Sequence, residues 1–482
     1  MKILFAASEI TPFAKTGGLA DVAAALPKAL HARGHDVRLM LPFYGQIDAE
    51  RFAIKPMGID LTVPLGGAPR QGSLYTTELD GLPVYLIRND LLFGRDGLYG
   101  YGGGDHADNA LRFGFFCRAL LQALPRLDFA PDIIHAHDWQ TALLPTLLRH
   151  EHGSDPFFTG TGSLLTLHNL GYQGLFPSDT LATLSFDPAM LYDGDFEYHG
   201  QLSLLKSGII NADGVTTVSP TYSREVCTPE QGMGFDGILK QRGSNFIGIL
   251  NGIDTRLWNP AGDSALVRPY APGDLNGKAV NKAALQQQFG LHPAPHLPLV
   301  AMVSRLDRHK GFDLLEAAWS SLVKSGLQLL LIGNGTPDIE SRLAALARQT
   351  PRQTAAFFAF DDSVARRAYA GSDFFLMPSH YEPCGLAQLI ALRYGSIPVV
   401  RRTGGLADTI IDVTAGADAN GIVFDAATPA ALLAALDRAS HLLADPVRRK
   451  ALVVRGMTQD LSWDGPARQY EAFYQQILEK RS

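Results

Sequence analysis

The sequence predicts an α/β protein with two doubly wound parallel sheets, and three observations lead to this fold class. A strand, a helix and a second strand follow one another near the N-terminus, which makes a βαβ unit and hence a parallel pair. From residue 298 onward, short apolar runs and amphipathic segments alternate in the same way. The segment Thr-Gly-Gly-Leu-Ala stands at a predicted helix entrance in each half, at 16–20 and at 403–407. We therefore expect two similar domains.

The length of the chain and its middle segment place the domain boundary. A chain of 482 residues exceeds what one hydrophobic core usually supports. We place an N-terminal Rossmann-like domain at 1–246 and a C-terminal one at 247–461, with the crossing in the segment 247–254. The remaining segment, 462–482, is predicted to be an aromatic-rich helix. Such a helix needs a surface to dock on, so we expect it to return to the first domain.

The individual elements are predicted from hydrophobic periodicity and from turn residues. In the first domain we predict strands at 2–7, 35–41 and 214–219 and within 131–139 and 163–169, helices at 18–33, 109–124 and 201–211, a turn-rich region at 48–104 with short strands such as 83–87, and a mobile loop at 90–106. In the second domain we predict strands near 298–303, 327–332, 355–360, 373–377 and 397–400, and helices at 311–323, 337–349, 363–370 and 385–394.

Composition narrows the class of protein. The net charge of -6 argues against a nucleic-acid-binding protein, which would usually carry a basic surface. The three cysteines are scattered and odd in number, so no disulfide framework is predicted. The apolar run at the N-terminus is too short for a signal peptide, and no later stretch is long enough to span a bilayer. We therefore expect a cytoplasmic protein without a membrane or nucleic-acid partner, and the sequence predicts no particular oligomeric state.

The segment 379–386, Ser-His-Tyr-Glu-Pro-Cys-Gly-Leu, lies between a predicted buried strand and a predicted helix. Glu382 is thus a carboxylate in a strand-to-helix turn, beside a helix start whose free N–H groups suit a phosphate. The next turn holds Thr403, Gly404 and Gly405. Two such turns are typical of a nucleotide-sugar pocket, and the alternative is two ordinary turns of a parallel sheet.

Cations occur where open sheets bind ligands. Arg305 and Lys310 follow the first strand of the second domain, at its carboxyl end, which favours phosphate binding over a merely solvated basic loop. In the first domain, Lys15 stands in the loop before a helix, in the same arrangement of cation, two glycines and acid that recurs at 402–408. Open glycine backbone and a positive charge together can receive a phosphate.

Polar residues also follow two strands of the first domain. His135 and His137 have the residue type of metal ligands, but without a third ligand the pattern favours histidines that lie in the core or contact a sugar. His168 is compatible with a general base, a hydrogen-bond donor to a ligand or a packed loop residue. The Asp193-Gly-Asp195 sequence has the form of a metal-binding Asp-x-Asp motif, but its position favours a loop.

Taken together, these segments resemble the bacterial glycogen synthases and, through them, the plastid starch synthases. The resemblance runs essentially from end to end, and it is carried by Lys-Thr-Gly-Gly-Leu-Ala-Asp at 15–21, His-Ala-His-Asp-Trp at 135–139, Leu-His-Asn-Leu-Gly-Tyr-Gln-Gly at 167–174, Val-Ser-Pro-Thr-Tyr at 218–222, Leu-Asn-Gly-Ile-Asp at 250–254, Val-Ser-Arg-Leu at 303–306 with Lys310 and Gly311, Glu-Pro-Cys-Gly-Leu at 382–386, and Arg-Arg-Thr-Gly-Gly-Leu-Ala-Asp at 401–408.

The resemblance implies a GT-B fold with a ligand cleft between its two domains, the acceptor glucan on the N-terminal side and the nucleotide sugar on the C-terminal side. It also implies transfer of glucose from ADP-glucose to the 4-hydroxyl at the non-reducing end of an α-1,4-glucan such as glycogen, with retention of configuration and without a cofactor or a metal. The implied catalytic residues are Glu382, His168, Arg305 and Lys310. The implied substrate-binding residues are Lys15, Gly18, Asp21, Tyr99, Asp138, Asn169, Asn251, Cys384, Gly385, Leu386, Thr403, Gly404 and Gly405.

The pattern departs from the wider fold family at two places. Many retaining transferases of this fold carry a second Glu eight positions after the first, where this chain has Ile390; this suits a glycogen synthase and removes a ribose contact. The loop around 100–104 lacks an obvious family pattern. The alternatives are a UDP-glucose-dependent glucosyltransferase and a non-catalytic nucleotide-sugar or glucan sensor. An α-glucan phosphorylase would need a pyridoxal-phosphate lysine motif, and none stands out.

Overall fold

The computed structural model describes residues 1–101, 104–192, 194–359 and 361–481. The chain divides into two compact units. The first comprises 1–218, 223–251 and the segment from Trp463 onward, and the second comprises 219–222 and 252–462. The first unit extends beyond our boundary at 246 because Phe246–Gly248 forms a strand of its sheet.

The first unit is organised around a sheet of nine strands among the described residues. Across the sheet the strands are Phe246–Gly248, Gly214–Thr217, Gly162–Leu167, Ile133–His137, Lys2–Ala6, Asp36–Pro42, Leu82–Arg88, Ala68–Leu79 and Lys55–Leu65. All neighbouring pairs are parallel except those made by the last two strands. The parallel strands reverse their direction of travel across the sheet between Lys2–Ala6 and Ile133–His137, which is the topological switch point of a doubly wound sheet.

The helices of the first unit and its smaller strands complete the layers around this sheet. The helices are Gly18–Ala32, Asp90–Phe93, Asn109–Arg126, Asp138–Thr141, Leu143–His150, Thr180–Thr183, Ala189–Tyr192, Leu204–Asn211, Asp236–Gln241, the 3₁₀ helix Gly243–Asn245 and the terminal Asp464–Glu479, while Pro220–Glu225 begins in the segment that belongs to the second unit. Two small antiparallel sheets join Leu175–Pro177, Gln201–Ser203 and Glu197–Tyr198, and Gly100–Tyr101 with Gly104–Asp105. The terminal helix buries Tyr470, Phe473 and Tyr474 within this unit.

Three sequence predictions in the first unit were wrong in detail. The region 48–104 contains two long strands, Lys55–Leu65 and Ala68–Leu79, rather than only short ones. The segment predicted to be a mobile loop is packed, since the buried Arg112 donates hydrogen bonds to the carbonyls of Leu92 and Leu98; residues 102 and 103 lie outside the described residues. The helix predicted from residue 201 begins at Leu204, because Gln201–Ser203 pairs as a strand.

The second unit contains a six-stranded parallel sheet within the described part of the chain. Its strands, in spatial order, are Thr354–Phe357, Gln328–Ile332, Leu299–Val303, Phe374–Met377, Ile397–Arg401 and Ile422–Phe424. This is the 3-2-1-4-5-6 order of a Rossmann-type sheet. Gln328–Ile332 and Phe374–Met377 are buried along their whole length, as expected for parallel strands covered on both faces.

The helices of the second unit match the predicted alternation closely. They are Asn276–Gln288, Phe312–Lys324, Pro337–Gln349, Asp362–Gly371, Ala387–Arg393, Gly404–Thr409, Pro429–Leu443 and Pro446–Thr458, with 3₁₀ turns at Arg308–Lys310 and Val413–Asp418. The predicted strand 355–360 is observed as Thr354–Phe357, and its predicted last residue, 360, lies outside the described residues. In the parts of the chain just defined, no helix is both long and apolar enough to cross a membrane.

Candidate active site

The strongest candidate feature is an ion pair at the switch point of the second sheet. The neighbouring strands Leu299–Val303 and Phe374–Met377 lead into loops at the same carboxyl edge, and these loops carry Lys310 and Glu382. Lys310 Nζ donates to both carboxylate oxygens of Glu382, at 2.9 and 2.8 Å, and Ser379 Oγ donates to one of them at 3.0 Å. Glu382 is only 6% exposed. The carboxylate is therefore held by three hydrogen bonds in a nearly dry position.

A close approach of two loop backbones brings this pair together. Gly311 has a φ of +76°, and a Cβ atom there would lie 2.1 Å from the carbonyl oxygen of Pro378. The amide of His380 donates to the carbonyl of His309 at 2.8 Å. Only glycine permits both this left-handed conformation and this contact, so Gly311 sets the distance between the Lys310 loop and the Glu382 loop.

The turn Thr403–Gly405 supports the Glu382 loop from the other side. Cβ atoms on Gly404 and Gly405 would each lie 2.0 Å from a carbonyl oxygen, that of Glu382 and that of Cys384 respectively. Arg401 adds hydrogen bonds to the carbonyls of Ser379 and His380 at 2.7 and 2.6 Å. The two glycines thus act as spacers that let this turn pack against the backbone of the Glu382 loop.

The helix after Glu382 begins later than predicted. It spans Ala387–Arg393, because Gly385 has a φ of +69°, which a right-handed helix cannot include. Gln388 donates to the carbonyls of Cys384 and Gly385 at 3.0 and 2.7 Å and so fixes the preceding turn. Gly385 and Leu386 therefore belong to a braced turn before the helix, and the Cys384 side chain is buried there.

Two further predicted positions of this unit have distinct surroundings. Arg305 lies on the Lys310 loop with about half of its side chain exposed, 51%, and its guanidinium is 3.9 Å from Asp307. Ile390 is buried in the apolar core of the unit. An apolar side chain at this position packs into the core and offers no polar group to a ligand.

In the first unit the predicted Lys15 loop is stabilised by carboxylates. Lys15 Nζ donates to Asp21 at 2.7 Å, and Gly18 begins the helix Gly18–Ala32. Glu9, which is 3% exposed, accepts hydrogen bonds from the Thr16 hydroxyl at 2.6 Å, from the Thr16 amide, and from the Gly17 amide at 3.2 Å. Asp21 is thus a partner of Lys15 inside this loop.

Tyr99 is tied to the same carboxylate. Its hydroxyl donates to Glu9 at 2.6 Å and lies 2.7 Å from Ser8 Oγ. Burial, followed by the negative charge of Glu9, raises the pKa of Tyr99 well above its usual value. Tyr99 therefore remains a neutral hydroxyl that braces the start of the Lys15 loop.

A second cluster follows the strands Ile133–His137 and Gly162–Leu167. Asp138, with a φ of +55°, accepts a hydrogen bond from the His168 amide at 2.7 Å. Burial raises the pKa of Asp138 to about 7, although hydrogen bonds from the backbone of His168 and Asn169 oppose the rise. The Asn169 side chain accepts from the Gly171 amide at 2.9 Å. Asp138 thus fixes the backbone that presents His168 and Asn169.

His135 and His137 are neutral core groups, whereas His168 is partly exposed. His135 is hydrogen-bonded to Tyr474 of the terminal helix at 2.8 Å and to Thr166 at 2.6 Å. His137 Nδ1 lies 3.0 Å from His168 Nε2, and burial lowers the pKa of His168 to about 3. Within the described residues no group of three His, Cys, Asp or Glu side chains could hold a metal ion. The core alternative for His135 and His137 is confirmed by their complete burial.

Two remaining predictions concern the edges of the first unit. Asp193 lies outside the described residues, while Asp195 accepts a hydrogen bond from Asn211 at 3.0 Å. Asn251, the last residue of the unit before the chain enters the second, is 6% exposed, and its Oδ1 has no hydrogen-bond partner among the described residues.

Sequence reasoning missed several residues that shape these sites. Glu9 lies three residues after the strand Lys2–Ala6, in the turn at its carboxyl end, and that position could have identified it. Ser379 and Arg401 lie in the segments 379–386 and 401–408, but their contacts depend on how neighbouring loops fold. The local sequence pattern therefore does not predict those contacts.

Comparison with known families and structures agrees with the fold. Residues 2–241 match the family described as the starch synthase catalytic domain, and residues 286–453 match the family of glycosyl transferases group 1. The catalytic domain of starch synthase IV from Arabidopsis thaliana, solved bound to ADP and acarbose, has a similar fold with a TM-score of 0.93 and 35% identity over 99% of both chains. A sucrose-phosphate synthase from Thermosynechococcus elongatus, at 19% identity and a TM-score of 0.63, shares the fold alone.

Curated relatives match over their full length. The glycogen synthase of Syntrophotalea carbinolica is 53% identical over 99% of both chains, and that of Geotalea daltonii is 48% identical over 100% of both. The predicted α/β class and the GT-B architecture of two parallel-sheet units are confirmed by these matches. On the strength of its sequence matches, with two Rossmann-type sheets in agreement, the chain belongs to the glycogen synthase family of glycosyltransferases.

Proposed function

We propose that this protein transfers the glucosyl group of ADP-glucose to the 4-hydroxyl at the non-reducing end of an α-1,4-glucan, with retention of configuration. The observation that carries the proposal is the Lys310–Glu382 pair at the switch point of the second sheet, where open α/β sheets bind nucleotides. Full-length similarity to glycogen synthases, and to a starch synthase solved with ADP and acarbose, supports the choice of donor and acceptor. We expect the reaction to take place in the cytoplasm.

The second unit supplies the charges that the bond cleavage requires. Breaking the bond between glucose and phosphate leaves negative charge on ADP and positive character at the anomeric carbon. Two N–H groups of the Lys310 ammonium donate hydrogen bonds to Glu382, and the third N–H group is left to donate to a diphosphate oxygen. Arg305, on the same loop, adds a guanidinium suited to a bidentate phosphate contact. We assign both cations to stabilising the departing ADP.

Glu382 acts on the sugar in this proposal. Its two oxygens accept hydrogen bonds from Lys310 and Ser379, which fix the carboxylate and reduce its tendency to attack carbon. A fixed negative charge in a nearly dry site stabilises an oxocarbenium-like centre without reorganising during the reaction. We therefore assign Glu382 an electrostatic role. Cys384, Gly385, Leu386 and the turn Thr403–Gly405 hold the loop in place and offer backbone groups to the donor.

The first unit supplies binding groups for the same reaction. We assign Lys15 and Gly18 to contacts with the donor, and His168, Asn169 and Asp138 to the sugar. Asp21, Tyr99 and Asn251 complete the proposed set, with Asp21 and Tyr99 acting partly through the Lys15 loop that they brace. The unsatisfied Oδ1 of Asn251 is consistent with a ligand donor at that position.

The test is a donor panel with purified protein and glycogen, followed by linkage analysis of the product. We expect turnover with ADP-glucose well above that with UDP-glucose, and new α-1,4 linkages at non-reducing ends. Equal or better turnover with UDP-glucose would change the donor. Tight binding of ADP-glucose or glucan without any turnover would instead identify a sensor.

A further inference from the structure

The His168 ring has one nitrogen bound inside the protein and one without a partner there. His168 Nε2 lies 3.0 Å from Nδ1 of His137, which is completely buried. Within the part of the chain that the structure describes, no hydrogen bond is made by His168 Nδ1, and the residue is partly exposed. The ring can therefore meet a ligand through Nδ1.

The surroundings of His137 determine which ring donates. Burial lowers the pKa of both histidines, so each ring is neutral and carries one proton. His137 Nε2 is buried and has no hydrogen-bond partner among the described residues. If His168 donated to His137, the proton of His137 would sit on Nε2 as a buried N–H without an acceptor. Unpaired buried N–H groups are rarer than under-satisfied acceptors. The geometry thus favours donation from His137 Nδ1–H to His168 Nε2.

The proton of His168 must then sit on Nδ1, the nitrogen without a protein partner. We propose that His137 is a positioning residue that holds His168 in its Nδ1–H tautomer, so that His168 donates a hydrogen bond to a sugar oxygen and does not act as a base. This inference rests on the proposed function for the identity of the ligand. The backbone of His168 is fixed independently by Asp138. Two residues at the end of one strand thus set both the position and the tautomer of His168.

The chain offers a matched set of variants for testing this role. His137→Asn places an amide N–H where Nδ1–H stands and keeps a donor to His168. His137→Phe keeps a ring of similar shape but removes the donor, which frees His168 to exchange between its tautomers. His135→Phe is the control, because His135 lies on the same strand and is equally buried but is bonded to Tyr474 and Thr166 rather than to His168.

The primary measurement is the tautomer of His168 in the full-length protein, read from long-range ¹H–¹⁵N spectra of histidine-labelled protein and assigned by its loss in His168→Gln. We expect Nδ1–H in the unsubstituted protein, in His137→Asn and in His135→Phe, and a mixture or the Nε2–H form in His137→Phe. Nε2–H in the unsubstituted protein, or an unchanged tautomer in His137→Phe, would overturn the proposal.

Steady-state kinetics are a second measurement, and they distinguish failure of the proposed function from failure of the proposed role of His137. We expect His137→Phe to lose about tenfold in kcat/KM for ADP-glucose, the size of one hydrogen bond, and His137→Asn to recover most of it. Because the tautomer is read without substrate, an inactive protein that keeps the Nδ1–H form would contradict only the proposed function. An active protein with the Nε2–H form would contradict only the role of His137.

Discussion

The hexapeptide Thr-Gly-Gly-Leu-Ala-Asp occurs once in each unit, and the two copies have different physical roles. In the first unit it precedes and opens the helix Gly18–Ala32, and an added Cβ on Gly17 would meet nothing within 4 Å. In the second unit it opens the helix Gly404–Thr409, and added Cβ atoms on Gly404 and Gly405 would collide with carbonyl oxygens at 2.0 Å. Gly17 of the first copy thus has open space beside it, whereas Gly404 and Gly405 of the second copy pack closely against another loop.

The aspartates at the end of the two copies also have different partners. Asp21 pairs with Lys15, the cation of its own loop. Asp408 instead accepts hydrogen bonds from the Thr221 amide, at 2.9 Å, and the Thr221 hydroxyl, at 2.6 Å, in the short segment that belongs to the second unit. The repeat marks equivalent places in two similarly wound sheets. What each copy does depends on the loop beside it. The first copy donates hydrogen bonds to the buried carboxylate of Glu9, whereas the second packs against the backbone of the loop that carries the buried carboxylate of Glu382.

The largest expected effect tests whether that buried carboxylate distinguishes the second unit. Glu382→Ala should reduce kcat by about 10²-fold or more with little change in donor affinity, because a fixed charge is needed most in the transition state. Glu382→Gln keeps the shape and removes the charge, so it should be nearly as impaired. Steady-state kinetics with ADP-glucose measure both. A variant with near-normal kcat and only a raised KM would make Glu382 a binding residue.

A smaller effect should separate the two copies of the hexapeptide directly. Gly405→Ala must displace the backbone at Cys384, which costs about 1–3 kcal/mol and shifts Glu382, so we expect kcat to fall at least about tenfold. Gly17→Ala, in the first copy, is the control for backbone strain, since Gly17 has an extended φ of -153° and open space around it. Its thermal stability should stay close to that of the parent protein, the small effect typical of an unstrained change. Thermal melts of both variants decide, and equal losses of stability would remove the distinction.

The same contrast explains how far the sequence could predict this molecule. Strands such as Phe374–Met377 are short apolar runs between clear boundaries, and they were predicted within a residue or two. The strand Lys55–Leu65 was missed because Pro56, Gly58 and Pro64 interrupt its pattern. Those residues are tolerated because the strand is at the edge of the sheet, and edge position is a tertiary property.

For the candidate site, residue types were predictable but their pairings were not. Lys310 was predicted to bind phosphate and Glu382 to be a catalytic carboxylate, and their ion pair depends on the approach of Gly311 to Pro378. The roles of Gly404 and Gly405 as spacers likewise depend on the path of another loop. These close approaches between loops cannot be predicted from the sequence on either side of the residues that make them.

A pH-dependent effect of opposite sign is expected from one carboxyl group in each unit. Burial raises the pKa of Asp138 to about 7, so the folded protein binds more protons than the unfolded chain between about pH 4 and 7, and this contribution to stability is lost as pH rises. For Asp412, burial is outweighed by hydrogen bonds from Arg438 and from backbone amides, which lower the pKa to about 2, so its contribution is present above about pH 4 and lost below it. Asp138→Asn should therefore gain thermal stability relative to the parent protein from pH 5 to 8. Asp412→Asn should lose thermal stability relative to the parent protein, and this loss should be smallest near pH 3. A constant offset for Asp138→Asn across that range would contradict the assignment.

The smallest effect is expected on removal of divalent metal, which should leave the activity unchanged. The diphosphate of the donor must be neutralised by a bound cation or by the protein, and Arg305, Lys310 and Lys15 are the cations that we assign to it. The carboxylate of Asp195 is already engaged, since it accepts from Asn211 and lies 3.4 Å from His150. We therefore expect full activity after metal stripping and in excess EDTA, and an active Asp193→Ala, Asp195→Ala double variant. Glu382→Ala, assayed in parallel, confirms that the assay detects a genuine loss. Activity lost in EDTA and restored by Mn²⁺ or Mg²⁺, together with an inactive double variant, would show that protein cations alone do not neutralise the donor, and the roles of both loops would have to be reassigned.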